Sequence, residues 1–246
     1  MRRYWLLLAF LTASLLLFFS CSKDPTEPSP ALTVTDIDGN VYRTVTIGTQ
    51  VWMAENLKVT HYRNGEAIPN VSDNGVWAHL ISGAYCNYYN NGTNVATFGR
   101  LYNWFAVRDT RAIAPAGWHV PNDAEWQTLV DYLGGDSSAG GRMKEKGIKY
   151  WQSPNDGATN ESGFSALPAG SRGFDGSYGY MSIVGFFWSS MEYDSSNVWC
   201  RYLSCYNLKI YHNFSHKVTG FSVRCIQDQI DSECIARSPS DREVSP

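Results

Sequence analysis

The sequence predicts an α+β domain, rich in loops, with short antiparallel strands and one or two short helices. Three observations lead there. One helix is written out with both of its ends. A tight-turn dipeptide interrupts an alternating stretch at residues 38 and 39. From Phe164 to Ile226, short aromatic segments alternate with Gly, Ser and Asn turns.

Thr33 to Ile47 reads as a hairpin. Val34-Thr35-Asp36-Ile37 runs into Asp38-Gly39, a dipeptide suited to the left-handed backbone of a tight turn, and Val41-Tyr42-Arg43-Thr44-Val45 returns. Asp36 to Asn40 resembles part of a calcium loop, but its glycine stands at the fourth position rather than the sixth and no glutamate stands at the twelfth, so a turn is expected. Ile47 to Leu57 is a second strand-like run. Residues 61–100 hold many Gly and Asn and predict loops, with a short strand near Ala84–Tyr89. Leu101, Tyr102, Trp104, Phe105 and Val107 predict a buried strand or helical turn.

The helix spans residues 123–133. Asn122 is a good N-cap, and Glu125 at the third helical position completes a capping-box pattern. Asp123 and Glu125 put negative charge at the positive end of the helix dipole. Trp126, Leu129, Val130 and Leu133 form one apolar stripe, and Gly134 stops the helix. A second short helix is expected over Ala139 to Lys146, ending at Gly147.

The chain divides into a leader, residues 1–20, a tether, 21–32, one domain, 33–228, and a polar tail, 229–246. Arg2 and Arg3 precede an almost wholly apolar stretch from Tyr4 to Phe19, and Ser20-Cys21 follows. This resembles a bacterial lipoprotein signal, which implies that Cys21 becomes a lipid-bearing N-terminus. An ordinary signal peptide or an uncleaved anchor helix is the competing reading. Ser22 to Pro30, with three prolines, is an extended spacer. The expectation is an outer-membrane protein held by lipid, with its domain facing the cell exterior.

Loss of residues 1–20 leaves 18 basic against 23 acidic side chains, a net charge of −5. Such a chain has no basic surplus for nucleic acid. Five cysteines follow Cys21: Cys86, Cys200, Cys205, Cys225 and Cys234. Export permits disulfides, and an odd count leaves one thiol unpaired within the chain. Phe221, Val223 and Cys225 share the apolar face of a final strand, which predicts a bridge from Cys225 to Cys86.

Gln50-Val51-Trp52-Met53-Ala54-Glu55-Asn56-Leu57, Gly99-Arg100-Leu101-Tyr102-Asn103-Trp104, the helix segment from Pro115, Gly163-Phe164-Ser165-Ala166-Leu167-Pro168-Ala169-Gly170, Phe187-Trp188-Ser189-Ser190 and Gly220-Phe221-Ser222-Val223-Arg224-Cys225 occur in this order. Together they resemble the Fibrobacter succinogenes major paralogous domain family over about residues 35–228. The resemblance implies an exported, often lipid-anchored domain whose biochemical role is not established. His119-Val120-Pro121-Asn122-Asp123-Ala124-Glu125-Trp126 and the closing motif are also similar to the formylglycine-generating sulfatase-modifying enzymes. That more distant likeness implies a C-type-lectin-like fold.

It also implies an oxidoreductase alternative, because those enzymes use a pair of cysteines as copper ligands. Cys200 and Cys205 stand in roughly that region, at a C-x4-C spacing. A local disulfide, two free thiols, or replacements of surface tyrosines are the competing readings, and the two positions have opposite parity on a strand. His212 and His216 have the H-x3-H spacing that shares a helix face, but they sit among turn residues with Val218 where an acid would complete the related iron motif. No catalytic residue, metal ligand or cofactor is therefore assigned. A structural envelope protein without a small ligand is a third possibility.

Recognition is expected in residues 191–216, where Tyr, Asn, Ser, His and Cys crowd together. Tyrosine gives large contact area at low entropic cost, and Ser and Asn give adaptable hydrogen bonds. Ordinary turn formers on an edge strand are the bland alternative. The same set of residue types arises when adenines of Asn codons are randomised, as diversity-generating retroelements do in some proteins of this fold. Parity places Asn197, Trp199, Arg201 and Leu203 on one face and Val198, Cys200, Tyr202 and Ser204 on the other, with Trp199 and Leu203 in the core. The candidate ligand-binding residues are Cys200, Tyr202, Tyr206, Asn207, Tyr211, His212, Asn213 and His216. Their ligand is a glycan or a protein.

Overall fold

The computed structural model describes residues 32–229. The expected lipid-bearing Cys21, its tether, Cys234 and nearly all of the tail lie outside them. No helix among the described residues is long and apolar enough to cross a membrane.

Most of the ordered elements are short antiparallel strands, as the alternation of aromatic and turn residues predicts. In chain order they are β1 (Thr33–Thr35), β2 (Val41–Ile47), β3 (Gln50–Met53), α1 (Asn74–Ala78), β4 (Tyr85–Cys86), α2 (Val95–Phe98), β5 (Leu101–Tyr102), α3 (Trp104–Val107), β6 (Trp118–His119), α4 (Asp123–Tyr132), α5 (Ala139–Met143), β7 (Ser171–Arg172), β8 (Tyr178–Gly179), β9 (Val184–Glu192), β10 (Asn197–Ser204), β11 (Ile210–His216) and β12 (Ile226–Gln227). Two sheets dominate. One has the order β1-β2-β3-β12-β6, and the other is the meander β11-β10-β9. β12, from the end of the domain, sits between β3 and β6, pairing Ile226 with both Trp52 and His119.

The first hairpin forms at the expected dipeptide. Gly39 adopts φ 81°, and Asp36 spends its carboxylate on the turn, accepting from the Asp38 and Asn40 amides and from the Tyr42 hydroxyl. α4 also follows its sequence signals. Asn122 Oδ1 accepts from the Glu125 amide at 3.0 Å, and Glu125 Oε2 accepts from the Asn122 amide at 2.8 Å. Residues 101–107 hold both predicted forms, a two-residue strand followed by one helical turn. α5 ends at Met143, three residues earlier than expected, because Lys144 turns into extended backbone and buries its ammonium.

Three buried clusters form the interior. The first includes Tyr102, Trp104, Trp188, Cys200, Phe221 and Cys225. The second includes Trp52, Trp126, Leu129, Val130, Phe164, Phe187, Leu203 and Cys205, so the α4 stripe is spent on it. The third lies around Trp77, Cys86, Tyr88 and Leu101.

Candidate functional site

The six motifs converge inside the molecule. Arg224 is fully buried. Its Nε donates to Asn56 Oδ1 at 2.7 Å, Nη1 to the carbonyls of Met53 and Phe164, and Nη2 to the carbonyl of Ser165. One side chain of the closing motif thus ties down two motifs that lie roughly 60 and 170 residues earlier. The indoles do the same. Trp104 Nε1 donates to the Ser189 carbonyl, Trp126 Nε1 to Trp188, and Trp188 Nε1 to Tyr102. Gly99 opens its motif at φ 74°, with its α-carbon so close to Asn56 that an added Cβ would stand 2.7 Å from the Asn56 Cβ. These are the means by which strands with few residues are held, and none of them is left available to a ligand.

The expected recognition segment builds the three-stranded sheet. Its register places Phe186 opposite Tyr202 and Tyr202 opposite Tyr211. The Phe186 and Tyr202 rings lie 5.5 Å apart, and Tyr202 and Tyr211 stack at 4.4 Å with planes 4° apart. Asn207 Nδ2 donates to the Tyr211 hydroxyl at 3.0 Å, and exposed Asn213 shares this face. Tyr180 extends the row, edge-on to Phe186 at 5.9 Å. It is 60% exposed and has φ 67°, which is rare for so bulky a residue, and it falls outside the segment that composition singles out.

The opposite face carries Trp199, Arg201, His212, Phe214 and His216. Trp199 stacks on His212 at 4.1 Å and meets Tyr193 edge-on, while Tyr193 stacks on Phe214 at 4.4 Å. Trp199 was expected in the core; it is half-buried, packed against the rings of Tyr193, His212 and Phe214 rather than against a buried cluster. His212 Nε2 and Arg201 Nη2 both lie 3.0 Å from Asp123 Oδ1. Burial first, and then the Arg201 charge, hold the His212 imidazole below its ordinary pKa, against the pull of Asp123. Arg201 is fully buried, and its Nε and Nη1 have no partner among the described residues.

The candidate residues therefore divide. Tyr202, Asn207, Tyr211 and Asn213 share one face, and His212 and His216 occupy the other. The two histidines are four residues apart on a strand, roughly 13 Å, and His216 lies against Phe174. Tyr206 is exposed on the turn between β10 and β11. Lys144 holds that turn from below, donating to the carbonyls of Asp156, Ser204 and Asn207 at 2.8–2.9 Å, and burial pulls its pKa down to about 8. Sequence offered no sign of this lysine's role, since its partners are backbone oxygens.

Cys200 is corrected. It is 2% exposed in the first cluster, beneath the central strand, where burial pushes the thiol up to about 12. It cannot touch a surface ligand. Cys205 belongs to the second cluster, so the C-x4-C thiols face different interiors. The expected Cys86–Cys225 bridge is absent, and both thiols are free. Strand parity explains this. On β4, Tyr85 faces the first cluster with Cys225, whereas Cys86 faces the third.

His119 is a further residue the sequence did not mark. Its Nδ1 lies 2.6 Å from Asp228 and its Nε2 2.8 Å from Glu125, so both nitrogens donate. The hydrogen bond to Glu125 is the main reason its pKa rises from 6.5 to about 9. The folded value is the higher one, so this stabilisation is complete below the unfolded pKa of about 6.5 and is lost as pH rises through about 9. With 40% of the side chain exposed, the contribution is about 1 kcal/mol or less. His119→Asn is expected to flatten the pH dependence of urea stability across this window; parallel curves for the variant and the parent would exclude the clasp.

No curated protein and no solved structure matches the chain. The family model of the Fibrobacter succinogenes major domain matches residues 45–227, about three-quarters of the chain, from the middle of β2 to the last residue of β12. All six motifs whose contacts make up the interior lie within that span, and the chain belongs to the Fibrobacter succinogenes major domain family.

Proposed function

We propose that this protein is a lipid-anchored recognition domain of the cell surface, binding a saccharide through the tyrosine face of the three-stranded sheet. The row Tyr180–Phe186–Tyr202–Tyr211, edged by Asn207 and Asn213, is the observation that carries the reading. Aromatic faces pack against the C–H surface of sugar rings, and amides exchange hydrogen bonds with hydroxyls. The row bears no charge, which suits a neutral glycan better than a basic or acidic peptide. Two of its members, Tyr202 and Tyr211, are already stacked in place, so binding costs little side-chain ordering.

The C-type-lectin-like fold is part of the same proposal. Pairing of β12 with β3, which brings the two ends of the domain into one sheet, supports it. A crystal structure with those ends in separate sheets would remove it.

On a glycan and surface-protein array, Tyr211→Ala and Tyr202→Ala are expected to lower binding at least tenfold, and Tyr206→Ala less. Binding that is indifferent to all three changes sinks the proposal, and binding confined to proteins replaces the saccharide with a protein partner. For the anchor, labelled fatty acid is expected on the exported chain and absent from Cys21→Ser; equal labelling of both would exclude Cys21.

A further inference from the structure

A cleft of about 410 Å³ opens beside His119, lined by Arg63, Arg108, Thr110, Trp118, His119 and Ser190 among others. Only Ser190, near the end of β9, connects it with the three-stranded sheet. The size is that of a small-ligand site. Its floor is apolar, with Trp118, Val107 and Ile113 each less than a tenth exposed.

The charges around it do not cancel locally. Asp109 has both carboxylate oxygens occupied by Arg111, at 2.8 and 2.6 Å, and Arg111 also reaches Glu66. Asp228 is engaged by His119, which is itself shared with Glu125. Each acid on the wall is thus committed to a cation. The two guanidinium groups are not committed to an acid. Arg63 donates through Nε and Nη2 to the carbonyls of Ala114, Pro115 and Trp118, leaving Nη1 without a partner among the described residues. Arg108 is exposed and makes no ion pair or side-chain hydrogen bond among them. Thr110 and Ser190 also line the cleft, and neither hydroxyl is engaged among those residues.

We infer that this cleft binds a small carboxylate-bearing polyhydroxy compound of the size and class of a hexuronic acid. Arg108 and Arg63 Nη1 hold its carboxylate, and Thr110 and Ser190 meet its hydroxyls. The free Arg108 guanidinium can meet a carboxylate with two parallel donors of its planar fork, and Arg63 adds Nη1 alone. Arg63 is fixed in advance by its three carbonyl partners, whereas Arg108 is free to close on the ligand. In a chain whose overall charge is negative, two arginines that line one cleft without carboxylate partners among the described residues set it apart from the neutral tyrosine face. The two sites are independent, and neither variant used for one touches the other.

The test is calorimetric titration of the full-length protein with D-glucuronate, D-glucose and inorganic phosphate. Glucuronate is expected to bind at millimolar concentrations and glucose not to bind. Arg108→Gln should weaken glucuronate at least tenfold and Arg108→Glu should abolish it. Because Arg108 makes no contact that holds the fold, both variants should melt with the parent. Equal affinity for glucose and glucuronate, unchanged affinity in Arg108→Gln, or binding of phosphate without glucuronate would each overturn the assignment.

Discussion

Replacement of Arg224 by Met is expected to cost about 3–5 kcal/mol of stability, read as a lowered urea midpoint or the loss of a cooperative transition. The guanidinium is fully buried and serves four acceptors: the Asn56 amide oxygen and the carbonyls of Met53, Phe164 and Ser165. Methionine fills most of the volume and leaves all four without their donor. An unsatisfied buried acceptor costs about 1–3 kcal/mol, and the losses overlap because the acceptors share one donor group. The Arg224→Lys variant separates charge from shape. An ammonium keeps the charge but cannot present donors to acceptors spread around a planar fork, so it should recover little. Arg224→Lys with parental stability would show that charge alone matters here.

Trp126→Ala is expected to cost about 3–5 kcal/mol as well, by a different route. This indole is fully buried between Trp52 at 4.9 Å, Phe187 at 5.9 Å and Phe164 at 6.0 Å, and its Nε1 donates to the Trp188 carbonyl. Truncation leaves a cavity where α4 meets the sheet and an unpaired carbonyl on β9. Trp126→Phe keeps most of the volume and loses the hydrogen bond, so about 1–2 kcal/mol is expected. Denaturant unfolding of the three proteins in parallel checks the order. If Phe proves as damaging as Ala, the hydrogen bond and not the packing is the dominant contribution. A domain of this size has roughly 5–15 kcal/mol in total, so the Arg224 and Trp126 changes should not be tolerated together.

What could be read from the sequence was what depends on near neighbours. The caps of α4 lie within four residues of the groups they satisfy, and the Asp38-Gly39 turn is complete in itself. The Trp126–Leu133 stripe is periodic, and it is the one apolar face whose burial needs no knowledge of the partner. Loss of register defeats the same reasoning elsewhere. A two-residue strand such as β4 has no alternation to read, so Cys86 was assigned to the wrong interior by a single step. Cys200 and Tyr202 share a face of one strand, and only the packing of the first cluster against that face decides that Cys200 is fully covered and Tyr202 half-buried. Tyr180, Lys144 and His119 gain their roles from partners between 6 and 109 residues away. Nothing in their immediate surroundings marks them. The six motifs, by contrast, identified the family from wording alone, although their work is done by contacts that wording does not display.

The place of β12 has a consequence for the order in which this chain can be completed. Ile226 belongs to a strand in the middle of the five-stranded sheet, flanked by one strand from the beginning of the domain and one from its centre. Until that last strand arrives, β3 and β6 have no common neighbour and Arg224 has not reached its four acceptors. A chain that ends before residue 224 lacks both the strand that joins β3 to β6 and the donor to these four acceptors, so it is expected to be cut by proteases more readily than the whole domain.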